Sequence, residues 1–165
     1  MFKGLKDFLV KEEEGNEVLK SPFRGKLIHI SKVPDSSFSD ELVGKGVAVL
    51  PIQGYAAAPM DGIIDSIFKA RNGFTMKSKS GVEILVHIGL DTAKLNGEYF
   101  EVLVDQNQPI KQGDKVIKFN LEELIELGYN VSSPILISNS MDYEEVNIFD
   151  EREVDYDDDI IEIKH

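Results

Sequence analysis

Apolar residues recur along this chain in short alternating runs, and the clearest run is Gly81-Val82-Glu83-Ile84-Leu85-Val86-His87-Ile88-Gly89-Leu90-Asp91-Thr92. Alternation with a period of two, rich in Val, Ile and Leu and bounded by glycine, predicts a β-strand. Successive side chains on a strand point to opposite faces, so Val82, Ile84, Val86 and Ile88 form one apolar row. That row is expected to face the core, which puts His87 on the other, more polar face with Glu83 and Leu85. Gly89 would clear space beside the ring, so the pattern predicts an accessible imidazole in a shallow pocket.

The same pattern places further strands. Val43 to Pro51, Tyr99 to Val104, Lys115 to Phe119, Pro134 to Ser138 and Ile160 to Ile163 read as strands punctuated by Gly and Pro. Leu121 to Leu127 has helical spacing, acidic residues in its first turn and Gly128 as its stop. Val33 to Phe38 reads as a turn with an exposed aromatic, and Asp150 to Asp159 as a solvated acidic loop. Many short strands and one short helix predict an all-β barrel or sandwich.

An internal echo runs through the first half. Ser21-Pro22-Phe23-Arg24-Gly25-Lys26-Leu27-Ile28-His29-Ile30 resembles Ala58-Pro59-Met60-Asp61-Gly62-Ile63-Ile64-Asp65-Ser66-Ile67, at an offset of 37 residues from Ser21 to Ala58. Two copies are too few for a solenoid and suit two related halves of one β unit. His29 stands where the second copy has Ser66, and reads as strand surface without a role.

A hairpin leads into the His87 strand. Phe74 to Lys77 and Val82 to Val86 flank Ser78-Lys79-Ser80-Gly81. A two-residue loop of Lys79 and Ser80 would set Asn72 directly across from His87, and Phe74 across from Leu85. Such facing pairs have Cβ atoms about 5 Å apart.

The first residues follow a different pattern. Phe2, Leu5, Phe8 and Leu9 fall at helical spacing before Glu12-Glu13-Glu14-Gly15 stops the run. Residues 1–20 are expected to be an amphipathic leader outside the core, and residues 21–165 one β domain. A helix this short needs a surface to fold on. The segment 1–11 reads equally as a frayed terminus or as a weak membrane-surface or partner-docking helix.

Composition narrows the function. A chain of 165 residues, 42% hydrophobic and 29% charged, is one ordinary globular domain. Its net charge of −12 argues against nucleic acid as a partner. The absence of cysteine rules out disulfides and thiol catalysis, and only three histidines disfavour a metal enzyme. The start has no signal-like apolar core, and no stretch approaches a membrane span. A cytoplasmic location is expected.

The run from Gly81 to Ala93 has the form glycine, apolar residues, then His-apolar-Gly-apolar-x-Thr. Val33-Pro34-Asp35, Val43-Gly44-Lys45-Gly46, Ala58-Pro59-Met60-Asp61-Gly62, Leu95-Asn96-Gly97-Glu98, Lys111-Gln112-Gly113-Asp114 and a closing Ile-x-Ile-Lys accompany it in order. With these motifs in register, the chain resembles the glucose-type IIA component of the bacterial phosphoenolpyruvate-dependent sugar phosphotransferase system from Ser21 onward. The leader resembles that family's amphipathic N-terminal segment. The resemblance implies an antiparallel β-sandwich of the barrel-sandwich hybrid type with one or two short helices. It implies that His87 takes a phosphoryl group from the carrier protein HPr and passes it to a sugar-transporter IIB domain. A neutral imidazole suits this chemistry, because it is nucleophilic near neutral pH and releases phosphate again. Gly89 would supply a backbone carbonyl to the other ring nitrogen. Phe38, Val43, Phe68, Phe74 and Leu85 would form an apolar docking rim, and Asp35 and Asp91 would be acidic neighbours able to pair with an HPr arginine. No cofactor is implied beyond the transient phosphoryl group.

The chain departs from the family at defined places. Asn72 stands where the family has a second active-site histidine, Ala70 where its supporting threonine stands, and Ser36 and Ser37 replace two valines. Asparagine can hydrogen-bond a phosphoryl oxygen but is neither an imidazole base nor a good zinc ligand. Onward transfer and the family's zinc site with a bound partner thus lack their usual residue. The alternative is a non-relaying paralogue that signals the phosphorylation state of His87 by binding regulatory target proteins. A biotinyl- or lipoyl-like carrier module is weaker, because Met76-Lys77 supplies only half of its lysine motif.

Overall fold

The structure is a computed structural model, and it describes residues 16–165. Expectations about residues 1–15, including the docking helix, fall outside the described residues.

The described residues form three antiparallel sheets. In chain order the strands are β1 (Asn16–Lys20), β2 (Gly25–His29), β3 (Lys45–Pro51), β4 (Tyr55–Ala57), β5 (Gly62–Ile67), β6 (Gly73–Ser78) and β7 (Glu83–His87). There follow β8 (Phe100–Val102), β9 (Pro109–Ile110), β10 (Lys115–Phe119), β11 (Ser133–Ile137), β12 (Glu145–Ile148), β13 (Arg152–Val154) and β14 (Asp159–Lys164). Two short α-helices join them, α1 (Ser36–Ser39) and α2 (Leu121–Glu126). The largest sheet runs β13-β2-β3-β11-β7-β6-β5-β9, flanked by β4-β10-β8 and β1-β14-β12. The expected all-β architecture is present as packed open sheets, not as a closed barrel.

Strand alternation divides the buried residues into two cores. Leu27, Val47, Val49, Ile135, Ile137, Ile84, Val86 and Phe74 point one way into the main core. Ile28, Ala48, Leu136 and, partly buried, Leu50 and Leu85 point the other way, where Ile30, Val33, Phe38 and Leu90 cover them. The face that carries His87 is therefore not a polar one, as expected from β7 alone, but a second, smaller apolar cluster.

The repeat at an offset of 37 residues has a structural counterpart. β2 lies next to last at one end of the large sheet and β5 next to last at the other, each paired with the strand that follows it. The two copies also cap one another. Lys20 N–H donates to the Pro59 carbonyl (3.0 Å) and Ala57 N–H to the Pro22 carbonyl (2.8 Å), equivalent bonds 37 residues apart. Gly25 and Gly62 occupy equivalent crossings, where a Cβ would stand 2.0 Å from the Leu50 carbonyl oxygen and 2.1 Å from that of Lys77. No side chain fits there.

Three expectations are corrected. Asn16–Lys20, placed in the leader, is a sheet strand paired with β14, and its Leu19 is fully buried. The stretch from Asp150 to Asp159 is not all loop, because Arg152–Val154 pairs with β2. Phe38 is not an exposed turn aromatic but a buried residue of α1.

Candidate functional site

His87 ends β7, on the side of the sheet covered by the smaller cluster. Its ring lies between two aromatics. The centroid of Phe38 is 5.4 Å away and that of Phe68 is 6.0 Å away, both tilted against it. Phe38 is delivered by α1, whose first turn is capped by the Asp35 carboxylate. Phe68 follows β5 and lies across Gly73, the residue opposite His87; a Cβ there would come within 2.7 Å of the Phe68 ring. Gly73 therefore makes room for the Phe68 ring, and the space that Gly89 clears lies against Thr92, not beside the imidazole as expected.

Gly89 has a different task. Its carbonyl accepts a hydrogen bond from His87 Nδ1 at 2.7 Å. With the proton on Nδ1, the lone pair of the neutral ring is on Nε2. The Gly89–Leu90 peptide is held in that orientation because Leu90 N–H donates to the Asn130 carbonyl at 2.8 Å. Gly89 N–H donates to Ser133 Oγ at 3.1 Å, and Ser133 Oγ donates to the Val131 carbonyl at 2.8 Å. Gly89 has φ +69°, and a Cβ there would stand 2.9 Å from the Thr92 methyl, so glycine is required.

Burial pushes the His87 pKa below its ordinary value of 6.5, outweighing the opposing pull of the Gly89 carbonyl and of the Asp35 and Asp91 carboxylates. The ring is thus kept neutral, the form in which Nε2 is a nucleophile. Asp35 and Asp91 both line a cleft of about 450 Å³ with Leu90, Lys94, Tyr129 and Asn130. Asp35 Oδ1 is held by Ser37 through its N–H (3.0 Å) and Oγ (2.7 Å).

The remaining expected site residues divide. Val43 and Leu85 are partly buried and packed against the cluster that contains Phe38. Phe74 is not on the rim: it is fully buried in the main core, paired with Val86. The cause is a one-residue error in the hairpin. Lys79, Ser80 and Gly81 form a three-residue loop closed between Ser78 and Val82, with Gly81 at φ +100°. The shift places Gly73, not Asn72, across from His87, and Thr75, not Phe74, across from Leu85. Asn72 is 2% exposed, its backbone carbonyl accepts from Ile88 N–H (2.8 Å), and its Nδ2 donates to Thr92 Oγ1 (3.1 Å).

His87 thus stands in a hollow of aromatic and aliphatic side chains with its Nδ1 fixed by a backbone carbonyl. The family model described as phosphoenolpyruvate-dependent sugar phosphotransferase system, EIIA 1, matches residues 17–143. The chain belongs to this family. Among relatives of this EIIA chain, the PTS system glucose-specific EIIA component of Staphylococcus aureus is 36% identical over 144 residues, 87% of each chain. That of Staphylococcus epidermidis is 37% identical over 140 residues, 85% of this chain and 84% of the relative. The solved glucose permease IIA from Mycoplasma capricolum superposes with a TM-score of 0.82 at 32% identity, covering 89% of this chain and 95% of that one.

Sequence reasoning missed one residue facing His87 in this EIIA chain, Gly73. Gly73 was hidden by the register error. Asn72, at the position of the family's second imidazole, has its amide turned to Thr92. No group of three or more His, Asp or Glu converges among the described residues. Among the described residues no helix is long and apolar enough to cross a membrane.

Proposed function

We propose that His87 accepts a phosphoryl group from the phosphohistidine of HPr on Nε2 and passes it to the IIB domain of a sugar transporter. The observation that carries this reading is the hydrogen bond from His87 Nδ1 to the Gly89 carbonyl, which leaves Nε2 unprotonated inside an apolar rim. In the receiving step the N–P bond of the donor breaks and its electron pair returns to the donor ring, while the Nε2 lone pair forms the new N–P bond. Little covalent chemistry is left to the protein beyond alignment of two imidazoles and exclusion of water. Phe38, Phe68, Val43 and Leu85 suit that dry contact, and Asp35 and Asp91 offer carboxylates to a basic donor surface. The relatives named glucose-specific make glucose the first sugar to test.

Incubation with phosphoenolpyruvate, enzyme I and HPr is expected to give acid-labile label on this chain, abolished by His87→Ala. Label on another residue, or none, overturns the assignment. A second reading, a regulator that holds phosphate without relaying it, is favoured by one feature: Asn72 supplies no imidazole and is engaged beneath the site. Discharge to a IIB domain separates the two. Fast discharge supports the relay, whereas slow discharge rescued by Asn72→His supports the regulator.

A further inference from the structure

The turn from Ile88 to Thr92, which carries the Gly89 carbonyl, is not one that backbone preference would hold alone. Gly89 has φ +69°, and Asp91, a non-glycine residue, has φ +61°. Three anchors keep it in place. Asn130 and Ser133 hold the Leu90 and Gly89 N–H groups from the side of β11. The third anchor is Asn72, from the end of the β5–β6 connection. Its backbone carbonyl takes the Ile88 N–H at 2.8 Å. Its side-chain Nδ2 donates to Thr92 Oγ1 at 3.1 Å, and that hydroxyl donates onward to the Ile88 carbonyl at 2.6 Å. Both backbone polar groups of Ile88 are thus tied to one residue, directly or through a single hydroxyl. Asn72 is 2% exposed and Thr92 fully buried, so water does not substitute for either partner.

We propose that Asn72 is a positioning residue for His87: through the Thr92 hydroxyl it pins the Ile88–Thr92 turn, and so keeps the Gly89 carbonyl on Nδ1 and the lone pair on Nε2. Asparagine suits this role because its amide donates while its neighbours supply acceptors. The residue that breaks the family pattern thereby braces the acceptor ring from below. The proposal rests on His87 being the phosphate acceptor, but its first readout does not require phosphate.

The test compares Asn72→Ala, the nearly isosteric Thr92→Val, the double variant and Thr92→Ser. The His87 ring tautomer is read by ¹⁵N NMR, exchange of the Leu90 amide by hydrogen exchange, and phosphorylation by HPr as kcat and KM separately. Both disruptive single variants are expected to depopulate the Nδ1–H tautomer and speed Leu90 exchange. They should lower kcat by about ten- to a hundredfold with KM for HPr little changed. The double variant should be no worse than either single one, and Thr92→Ser should restore the wild-type behaviour. A wild-type tautomer in Asn72→Ala overturns the proposal; slowed transfer with that tautomer makes Asn72 a direct phosphate contact instead. Additive single effects also overturn it. Were wild-type His87 to take no label at all, the acceptor reading would fall, while the tautomer measurement would still decide the role of Asn72.

Discussion

At the scale of single residues, the site depends on a ring whose proton affinity is lowered by burial while two carboxylates pull the other way. Because the folded pKa lies below 6.5, the unfolded chain takes up the proton first as pH falls. Folding stability from this group is therefore lost from about pH 6.5 downward, and the loss is complete below the folded pKa. An NMR titration should place the His87 midpoint below 6.5, and His87→Gln should flatten the acid side of the stability profile. A His87 midpoint above 6.5 would contradict this. His87 was legible from strand parity beside a glycine, and its Gly89 carbonyl only through the family resemblance. The placement of Asn72 was not, since it depends on whether a hairpin loop has two residues or three.

At the scale of elements, that loop decides which aromatics serve the core and which the rim. Phe74 faces Val86 and is fully buried, while Phe68 lies over Gly73 against His87. Phe74→Ala is expected to cost about 3–5 kcal/mol in urea unfolding. Phe68→Ala should cost much less and instead weaken binding of HPr. Reversed effects would mean that the register is wrong. A second expectation concerns β11: Ser133→Ala strands the Gly89 N–H and should cost about 1–3 kcal/mol, with faster exchange in the following turn. Strands with runs of Val and Ile, such as β3 and β7, announce themselves in the sequence. β13 does not, because its residues Arg-Glu-Val in an acidic stretch become a strand only by pairing with the edge of β2. Strand parity also misjudged the His87 face, since Leu136, Ala48 and Ile28 come from strands distant in sequence.

At the scale of the whole molecule, the 37-residue echo was legible, and its reason is now visible in the reciprocal bonds Lys20–Pro59 and Ala57–Pro22. The boundary at residue 20 was misplaced because Asn16–Lys20 carries little hydrophobic signal and is recruited by β14, some 140 residues later in the chain. Both ends of the described fold meet in that sheet. A cut in the exposed loop at Ile52–Gln53 should consequently give two fragments that are disordered alone and recover β structure by circular dichroism when mixed. Independent folding of either fragment would count against this mutual dependence. Only one half bears the imidazole, while the other, β13-β2-β3-β11, is a buttress that lends it Ser133 and the apolar floor of Ile28, Ala48 and Leu136. Its sequence is free to drift wherever it keeps Ser133, the Pro22 carbonyl capped by Ala57 and the sheet apolar, and variation among natural descendants should collect at its remaining positions.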